Sequence, residues 1–224
     1  MEALDKNQNK DVVYIKTINE QGKTVWKSSG NNKYGQCGVG STYEKITEPK
    51  TFFEGEICDF KFNDCTVYIK TIDDNGKIIW KSFGFNYNGQ CGIESREKDV
   101  CEPKTFFEGE IYDFKFNNDG TVYIKTINEQ GKIIWKSFGY NNAGQCGVGS
   151  TDEKITEPKT LFEGEIYEFK FKNNYTIYIK TINKQGKIIW KSFGPNEHGQ
   201  CGVKTSKYVI HEPTNMNDLT VLFN

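Results

Sequence analysis

The sequence has little of what catalytic and metal sites usually require. It contains two histidines, His198 and His211, and none of its seven cysteines stands in a C-x-x-C pair. An odd number of cysteines without a secretory leader argues against a disulfide framework, and their spacing argues against a zinc finger. No serine lies in a nucleophile elbow, and no triad or carboxylate dyad is recognisable. We therefore predict no catalytic residue, no metal and no cofactor.

Arginine is almost missing, since Arg96 is the only one, and 29 basic residues stand against 30 acidic ones. A protein that binds the phosphate backbone carries a basic excess, and bidentate recognition of phosphate depends on arginine. The chain also lacks a long apolar run and a basic N-terminal segment followed by an apolar one. We expect no nucleic-acid partner, no membrane contact and a location in the cytoplasm or nucleus.

What the sequence does contain is one unit repeated four times. A glycine-rich turn recurs every 54 to 55 residues, and one tryptophan and one Glu-Pro pair recur in phase with it. The turns are residues 30–38, 84–92, 139–147 and 194–202. Periods of this length with several strands each are typical of propeller repeats. We predict an all-β, β-propeller-type array of four repeats forming a single repeat domain over 1–224, either a closed small ring or an open arc, or a ring that partner chains complete.

Each repeat contains three short segments rich in β-branched and aromatic residues, which predict a three-stranded meander. In the third repeat these segments are EIYDFKF, TVYIKTI and KIIWKSFG, in which apolar and other residues alternate as in half-buried strands. The alternation predicts that Tyr112 shares a face with Phe114 and Phe116. A stretch such as KTFFEG, after the Glu-Pro pair, would supply a fourth strand. Lys70, Lys125 and Lys180 repeat as a solvated strand face.

The two ends of the chain look complementary. The sequence opens in its second strand, VVYIKTI (12–18), and ends on LTVLFN (219–224), which stands where the other repeats have their first strand. We predict that LTVLFN pairs with the strand that holds Tyr14 and Ile15, which would remove an exposed edge. Residues 1–11 are then a flexible N-terminus.

The repeat resembles that of the regulator of chromosome condensation family. It shows a glycine, then x-N-x-x-G-Q-C-G, and a proline about a dozen residues later. The family has tryptophan where Phe83, Phe138 and Phe193 stand here, and leucine where this chain has cysteine. The resemblance implies four-stranded blades around an axis, usually seven. It also implies nucleotide exchange on the small GTPase Ran through a wedge loop, but no repeat here carries such an insertion.

The glycine turns admit three interpretations. A phosphate cradle needs a helix directly behind the glycines, and the segment GVGSTDEKITEP after the third turn has none. The four turn cysteines could meet as a four-thiolate zinc site, but a single cysteine in such a position is usually a small buried hydrophobe. We predict structural turns. Their key residues are Gly35, Gln36, Gly89, Gln90, Gly144, Gln145, Gly199 and Gln200.

Positions that differ among near-identical repeats are candidates for binding a partner, because the shared packing does not depend on them. Aromatic residues and arginine are the side chains that most often anchor interfaces. The candidates in the turns and the following loops are Lys33, Tyr34, Phe85, Tyr87, Arg96, Tyr140, Glu197 and His198. We predict a non-catalytic scaffold that binds a protein through loops on one rim. The alternative is a guanine-nucleotide exchange factor for a small Ran-like GTPase, and self-association stays open.

Overall fold

The structure, a computed structural model, describes residues 5–9, 11–95, 97–172 and 175–222, with the backbone alone for 5–9. In these residues it has sixteen strands in four four-stranded sheets, and every strand pair is antiparallel. The chain divides into two compact units, which we call unit 1 (Met1–Glu110) and unit 2 (Ile111–Asn224). The predicted all-β array of four repeats is confirmed, with two sheets in each unit.

Within every sheet the strands lie in chain order. Sheet 1 consists of β1 (Asp5–Asn9), β2 (Val12–Ile18), β3 (Thr24–Asn31) and β4 (Lys45–Glu54). Sheet 2 consists of β5 (Ile57–Asn63), β6 (Thr66–Ile72), β7 (Ile78–Phe85) and β8 (Asp99–Glu108). Sheet 3 consists of β9 (Asp113–Phe116), β10 (Val122–Ile127), β11 (Ile133–Tyr140) and β12 (Lys154–Glu163). Sheet 4 consists of β13 (Glu168–Phe171), β14 (Ile177–Ile182), β15 (Ile188–Pro195) and β16 (Val209–Asn215).

The second strands of sheets 2, 3 and 4 are buried on both faces rather than one, whereas β2 of sheet 1 alternates between buried and partly exposed residues. In β10, Val122, Tyr123 and Ile124 are consecutive, and each has 0% of its surface exposed. The predicted alternation of a buried and a solvated face is therefore wrong here, because a continuous apolar run is what a fully buried strand requires. Tyr112 also differs from the prediction: it precedes β9 and is exposed, so it does not continue the face of Phe114 and Phe116.

The fourth strand is longer than predicted and includes the Glu-Pro pair. In sheet 1, Gly30 pairs with Ile46 and Ser28 pairs with Lys50, so β4 has extra residues opposite β3 and forms a β-bulge at the Glu48-Pro49 pair. Proline cannot donate to a ladder hydrogen bond, and an edge strand at a bulge is where it is tolerated. The other three fourth strands shift register in the same place.

The predicted pairing of the chain ends is wrong. Both edges of β2 are occupied, by β1 on one side, where Asn7 pairs with Tyr14, and by β3 on the other. The first strand of sheet 1 thus comes from residues 5–9, inside the segment predicted to be flexible. At the other end, Thr220–Leu222 forms a 3₁₀ helix, and 223–224 lie outside the described residues. The helix is the only one in the described chain, and it is too short to span a membrane.

The two sheets of each unit pack through aromatic rings. In unit 1, Tyr14 lies 5.5 Å from Phe60 between ring centroids, and Trp26 lies 5.2 Å from the same phenylalanine. In unit 2, Phe169 lies 5.3 Å from Tyr123 and 5.0 Å from Trp135. The repeated tryptophans Trp26 and Trp135 are therefore packing residues between neighbouring sheets, as aromatic side chains at one fixed strand position usually are.

The sequence predicted that the repeated lysines form a solvated strand face, and this prediction is wrong. Lys70 forms an ion pair with Glu110 at 2.7 Å, and Lys125 forms one with Glu165 at 2.6 Å. These side chains are only 20–30% exposed. Lys180 lies farther from its nearest carboxylate, at 3.8 Å. Two of these lysines thus hold the start of the next repeat against the second strand.

Candidate protein-interaction surface

Each glycine turn provides hydrogen-bond acceptors for its own backbone N–H groups. In the third turn the Asn141 carbonyl Oδ1 accepts the Cys146 N–H at 3.0 Å, and Gln145 Oε1 accepts the Ala143 N–H at 2.7 Å. The Gly144 N–H donates to the Asn141 carbonyl and the Gly147 N–H to the Gly144 carbonyl, both within the turn. The other three turns repeat these contacts. The N–H groups that a phosphate cradle would present are therefore already bonded.

Two buried hydroxyls tie each turn to its sheet. The Tyr123 hydroxyl donates to the Gln145 carbonyl at 2.6 Å, and the Ser137 hydroxyl donates to the Cys146 carbonyl at 2.5 Å. Burial raises the pKa of Tyr123 well above its ordinary value, so the phenol keeps the proton that it donates. Equivalent bonds anchor the other turns. This double anchor makes the turn a rigid platform for the side chains that point away from it.

The turn cysteines are buried thiols. Burial raises the pKa of Cys37 to about 11 and that of Cys201 to about 12, and it raises the pKa values of Cys91 and Cys146 as well. A metal ligand must be a thiolate, which burial in an apolar site disfavours. Across the part of the chain that the structure describes, no three histidine, cysteine or acidic residues are grouped to hold a metal ion.

Three of the predicted partner-binding aromatics form a row on unit 1. The ring of Tyr34 lies 5.0 Å from that of Phe85, edge to face, although the two residues belong to different repeats. Phe85 in turn lies 6.4 Å from Tyr87, stacked at 10°. Tyr34 and Phe85 are partly exposed, and Tyr87 is 55% exposed. We call Tyr34, Phe85 and Tyr87 the aromatic row.

A lysine covers each end of the aromatic row. The Lys33 ammonium lies 5.4 Å from the Tyr34 ring centroid, and the Lys98 ammonium lies 5.5 Å from that of Tyr87. Such cation–π contacts are worth about 0.5–1 kcal/mol at an exposed site. Neither ammonium forms a salt bridge in the described part of the chain, although Lys98 acts electrostatically on the neighbouring Asp99, so both can pair with carboxylates of a bound protein.

The remaining predicted residues do not join the aromatic row. Tyr140 belongs to unit 2, where the Asn142 amide donates to its hydroxyl at 3.3 Å. Glu197 and His198 are exposed on the turn of sheet 4. Arg96 lies outside the described residues. The structure therefore groups Lys33, Tyr34, Phe85 and Tyr87, and it adds Lys98, which the sequence analysis missed.

The sequence marks the segment that contains Lys98 as variable, but it does not distinguish Lys98 within that segment. It stands in the loop that follows the second glycine turn, among the residues that differ most between repeats. Its backbone carbonyl accepts the Asn86 N–H at 2.7 Å, which brings the loop back to the turn that carries Tyr87. The contact between loop and turn is the signal that a list of variable positions does not contain.

No family model matches the sequence, and no curated protein matches it. Solved structures do. Yeast RCC1 (Prp20), in its crystal structure with Kap60, has 18% identity and a TM-score of 0.53, over 97% of this chain and 49% of that chain. Prp20p from Saccharomyces cerevisiae, solved in a study of its binding to Gsp1p and histones, has 16% identity and a TM-score of 0.51, over 97% and 51%.

Human WBSCR16 has 17% identity and a TM-score of 0.55, over 93% of this chain and 53% of that chain. The chain thus spans about half the length of the solved structures it matches. At these identities the likeness shows the fold. The chain has the fold of the regulator of chromosome condensation propellers, as the resemblance of the turn motif predicted.

Proposed function

We propose that this chain, a repeat array with the fold of the regulator of chromosome condensation propellers, is a non-catalytic scaffold that binds a protein through the aromatic row. The observation that carries the proposal is the row itself, in which Tyr34, Phe85 and Tyr87 lie side by side on turns held by buried hydrogen bonds. Aromatic side chains on a rigid base bind with little loss of conformational entropy, which is why they anchor interfaces.

Lys33 and Lys98 determine which side chains of a partner would fit this surface. An apolar or aromatic side chain of the partner would pack on the row, and carboxylates on either side would pair with Lys33 and Lys98. Like charges placed against these lysines would be disfavoured, so the pair contributes specificity more than affinity. The partner is therefore a protein segment with an apolar anchor between acidic residues.

The non-catalytic part of the proposal is supported by how the polar residues are used. The buried tyrosine, serine, asparagine and glutamine side chains of the third turn all bond to turn backbone. His198 is exposed. Its backbone N–H donates to Gln200 Oε1, and its imidazole has no nucleophile or carboxylate partner in the described chain. We expect a protein of the cytoplasm or nucleus that binds neither nucleic acid nor membrane.

The experiment compares two triple variants. Tyr34→Ser, Phe85→Ser and Tyr87→Ser remove the aromatic row, and the control, Tyr112→Ser, Tyr167→Ser and Tyr208→Ser, removes three tyrosines that are 57–72% exposed elsewhere. Affinity isolation from cell lysate with quantitative mass spectrometry identifies the partner, and the purified partner then gives Kd. We expect the row variant to weaken binding at least about 30-fold, by the 2 kcal/mol typical of an interface anchor, and the control to leave it unchanged. A partner that binds both variants equally would refute the proposal.

The alternative function is nucleotide exchange on a Ran-like GTPase. It is favoured by the likeness to Prp20p, whose structure was reported together with its binding to Gsp1p. Against it, the 54 to 55-residue spacing of the turns leaves no room for an inserted wedge loop. The test is release of a fluorescent guanine nucleotide from a Ran-type GTPase. If nucleotide release accelerates in proportion to the amount of chain added, the protein is an exchange factor and the scaffold proposal is wrong. The mass in solution, measured by light scattering, tests self-association.

A further inference from the structure

Each unit contains a groove at the same place in its fold. It lies between the loop that follows the unit's first glycine turn and the fourth strand of its second sheet. In unit 1 the Gly40 N–H donates to the Cys101 carbonyl at 2.8 Å, and in unit 2 the Gly149 N–H donates to the His211 carbonyl at 2.7 Å. The volume of the groove is about 520 Å³ in unit 1 and about 370 Å³ in unit 2. The two grooves are thus equivalent in position.

The two grooves carry opposite charge. The unit 1 groove is lined by Glu97, Asp99 and Glu102 together with two lysines, Lys98 and Lys104. The unit 2 groove is lined by two lysines and one glutamate; its charged and titratable residues are Lys204, Lys207, His211 and Glu212. An excess of negative charge in one groove and of positive charge in the other predicts ligands of opposite sign.

The unit 2 groove also has unused hydrogen-bond donors. Asn217 Oδ1 accepts the Lys204 N–H at 3.1 Å, which leaves the amide NH₂ of Asn217 to donate. Thr205 Oγ1 accepts the Lys207 N–H at 3.2 Å, which leaves its hydroxyl proton to donate. Neither lysine ammonium pairs with a carboxylate within the residues described.

One buried polar atom in each groove wall lacks a partner in the described chain, and the two atoms differ in kind. In unit 2 it is the imidazole nitrogen Nδ1 of His211, and in unit 1 it is the carboxyl oxygen Oδ1 of Asp99. Buried polar atoms are nearly always bonded, so an unmet one indicates a place for water or a ligand. The carboxyl oxygen repels an anion, whereas the imidazole does not.

We propose that the groove of unit 2 binds a phosphate group as its dianion, held by the ammonium groups of Lys204 and Lys207 and by the hydroxyl of Thr205 and the amide of Asn217. Lysine binds phosphate as a point charge, and hydroxyl and amide donors add direction. The volume exceeds that of one tetrahedral anion and lies at the small end of ligand pockets, so a phosphate ester also fits. The proposal goes beyond protein binding by the aromatic row and uses none of its residues.

The test is an NMR titration of the ¹⁵N-labelled full chain at constant ionic strength, with inorganic phosphate in one arm and O-phosphoserine in the other. We expect saturable shifts of the amide signals of Gly149, Lys204 and Lys207. The double variant Lys204→Gln/Lys207→Gln should weaken binding about tenfold or more, since each exposed ion pair adds a few-fold. The matched control is Lys98→Gln/Lys104→Gln in the unit 1 groove, which should bind phosphate as the unchanged chain does.

The arms separate the two sources of the phosphate group. Saturation by both probes supports a site for free and esterified phosphate, and saturation by O-phosphoserine at lower concentration supports an esterified ligand. Shifts that grow linearly without saturation, or that are equal at the unit 1 lysines, would overturn the proposal. Retained affinity in Lys204→Gln/Lys207→Gln would overturn it too. The dispersion of the variant's spectrum shows independently that the variant is folded.

Discussion

Unit 1 and unit 2 pack their sheets with the same side chains and present different ones to solvent. In both, a tyrosine of a second strand contacts a phenylalanine of the next sheet, at 5.5 Å for Tyr14 and Phe60 and 5.3 Å for Tyr123 and Phe169. The aromatic row lies on unit 1 alone, and the grooves differ in charge. Function on such a scaffold resides in the differences between units, because the shared interior only supports them.

The cysteines give the largest expected difference between the units. Cys58 is exposed and Cys65 and Cys101 are partly buried, all in unit 1, whereas both cysteines of unit 2, Cys146 and Cys201, are fully buried. Iodoacetamide on the native protein should modify the three unit 1 thiols and react with the buried ones at least about 1,000-fold more slowly, because those need unfolding. Peptide mass spectrometry locates the labels.

The control for this prediction is labelling in urea, which should modify all seven cysteines. Rapid labelling of Cys146 or Cys201 under native conditions would mean that unit 2 opens more readily than its packing indicates.

The tryptophans should behave alike in the two units. Trp26→Ala and Trp135→Ala each remove a ring that is 1% exposed and lies 5.0–5.2 Å from a phenylalanine of the next sheet. We expect each to lower the free energy of unfolding by about 3–5 kcal/mol, the usual cost of a large core truncation. Urea unfolding measures both. Costs that differ by more than about 2 kcal/mol would break the equivalence of the two interiors.

High pH should destabilise both units together. Folding raises the pKa of Cys37 to about 11 and that of Cys201 to about 12, and burial also raises the pKa values of Tyr14 and Tyr123. The unfolded chain therefore loses these protons first, and stability should fall as the pH rises above the ordinary value of 9 for cysteine and then of 10 for tyrosine. Hydrogen exchange from pH 8 to 11 resolves the units; loss of protection in one alone would contradict the expectation.

The tyrosine hydroxyls should each contribute less. Tyr14→Phe and Tyr123→Phe leave the carbonyls of Gln36 and Gln145 without a buried bond of 2.6 Å. We expect a loss of about 1–3 kcal/mol in each unit, the cost of an unsatisfied buried group. Thermal unfolding followed by circular dichroism measures it. The control is Tyr208→Phe, which changes a tyrosine that is 72% exposed and should have no effect.

The half-buried ion pairs should give the smallest effect. Lys70→Gln and Lys125→Gln remove pairs of 2.7 and 2.6 Å, and we expect each to cost about 1 kcal/mol or less. Lys180→Gln should cost less still, because its nearest carboxylate is 3.8 Å away. Double-mutant cycles with Glu110→Gln and Glu165→Gln isolate the pairwise contribution. A larger cost at Lys180 than at Lys125 would contradict this ranking.

Repetition explains what the sequence predicted well. Four in-phase copies make each assignment less ambiguous than a single segment would, so the meander and the glycine turns followed from the pattern. The aromatic row was predicted in part: Tyr34, Phe85 and Tyr87 were singled out because they differ between repeats. Their mutual contact was not predictable, since it joins side chains of two repeats.

Two of the errors lie at the ends of the chain, where the first and last repeats depart from the others. Residues 5–9 are polar and have no apolar alternation, yet they form β1, because β2 offers an unpaired edge. LTVLFN does alternate, yet 220–222 form a helical turn whose start is fixed by Asn217 and Asp218 bonding to the Gly202 carbonyl. Lys125 is polar by type and was placed in solvent, but its carboxylate partner lies 40 residues away. Tertiary context decided each case.

The prolines of the fourth strands have a consequence for how such a chain stays in solution. The segment IIWKSFG recurs in three repeats, is rich in β-formers and contains a single charged residue, which is close to the composition that stacks into fibrils. Each copy is paired to a fourth strand with a bulge at its Glu-Pro pair, so the outer edge of every sheet is interrupted and cannot template another chain. The Glu-Pro pair therefore protects the aggregation-prone segment of its own repeat, and every duplication of the repeat copies both.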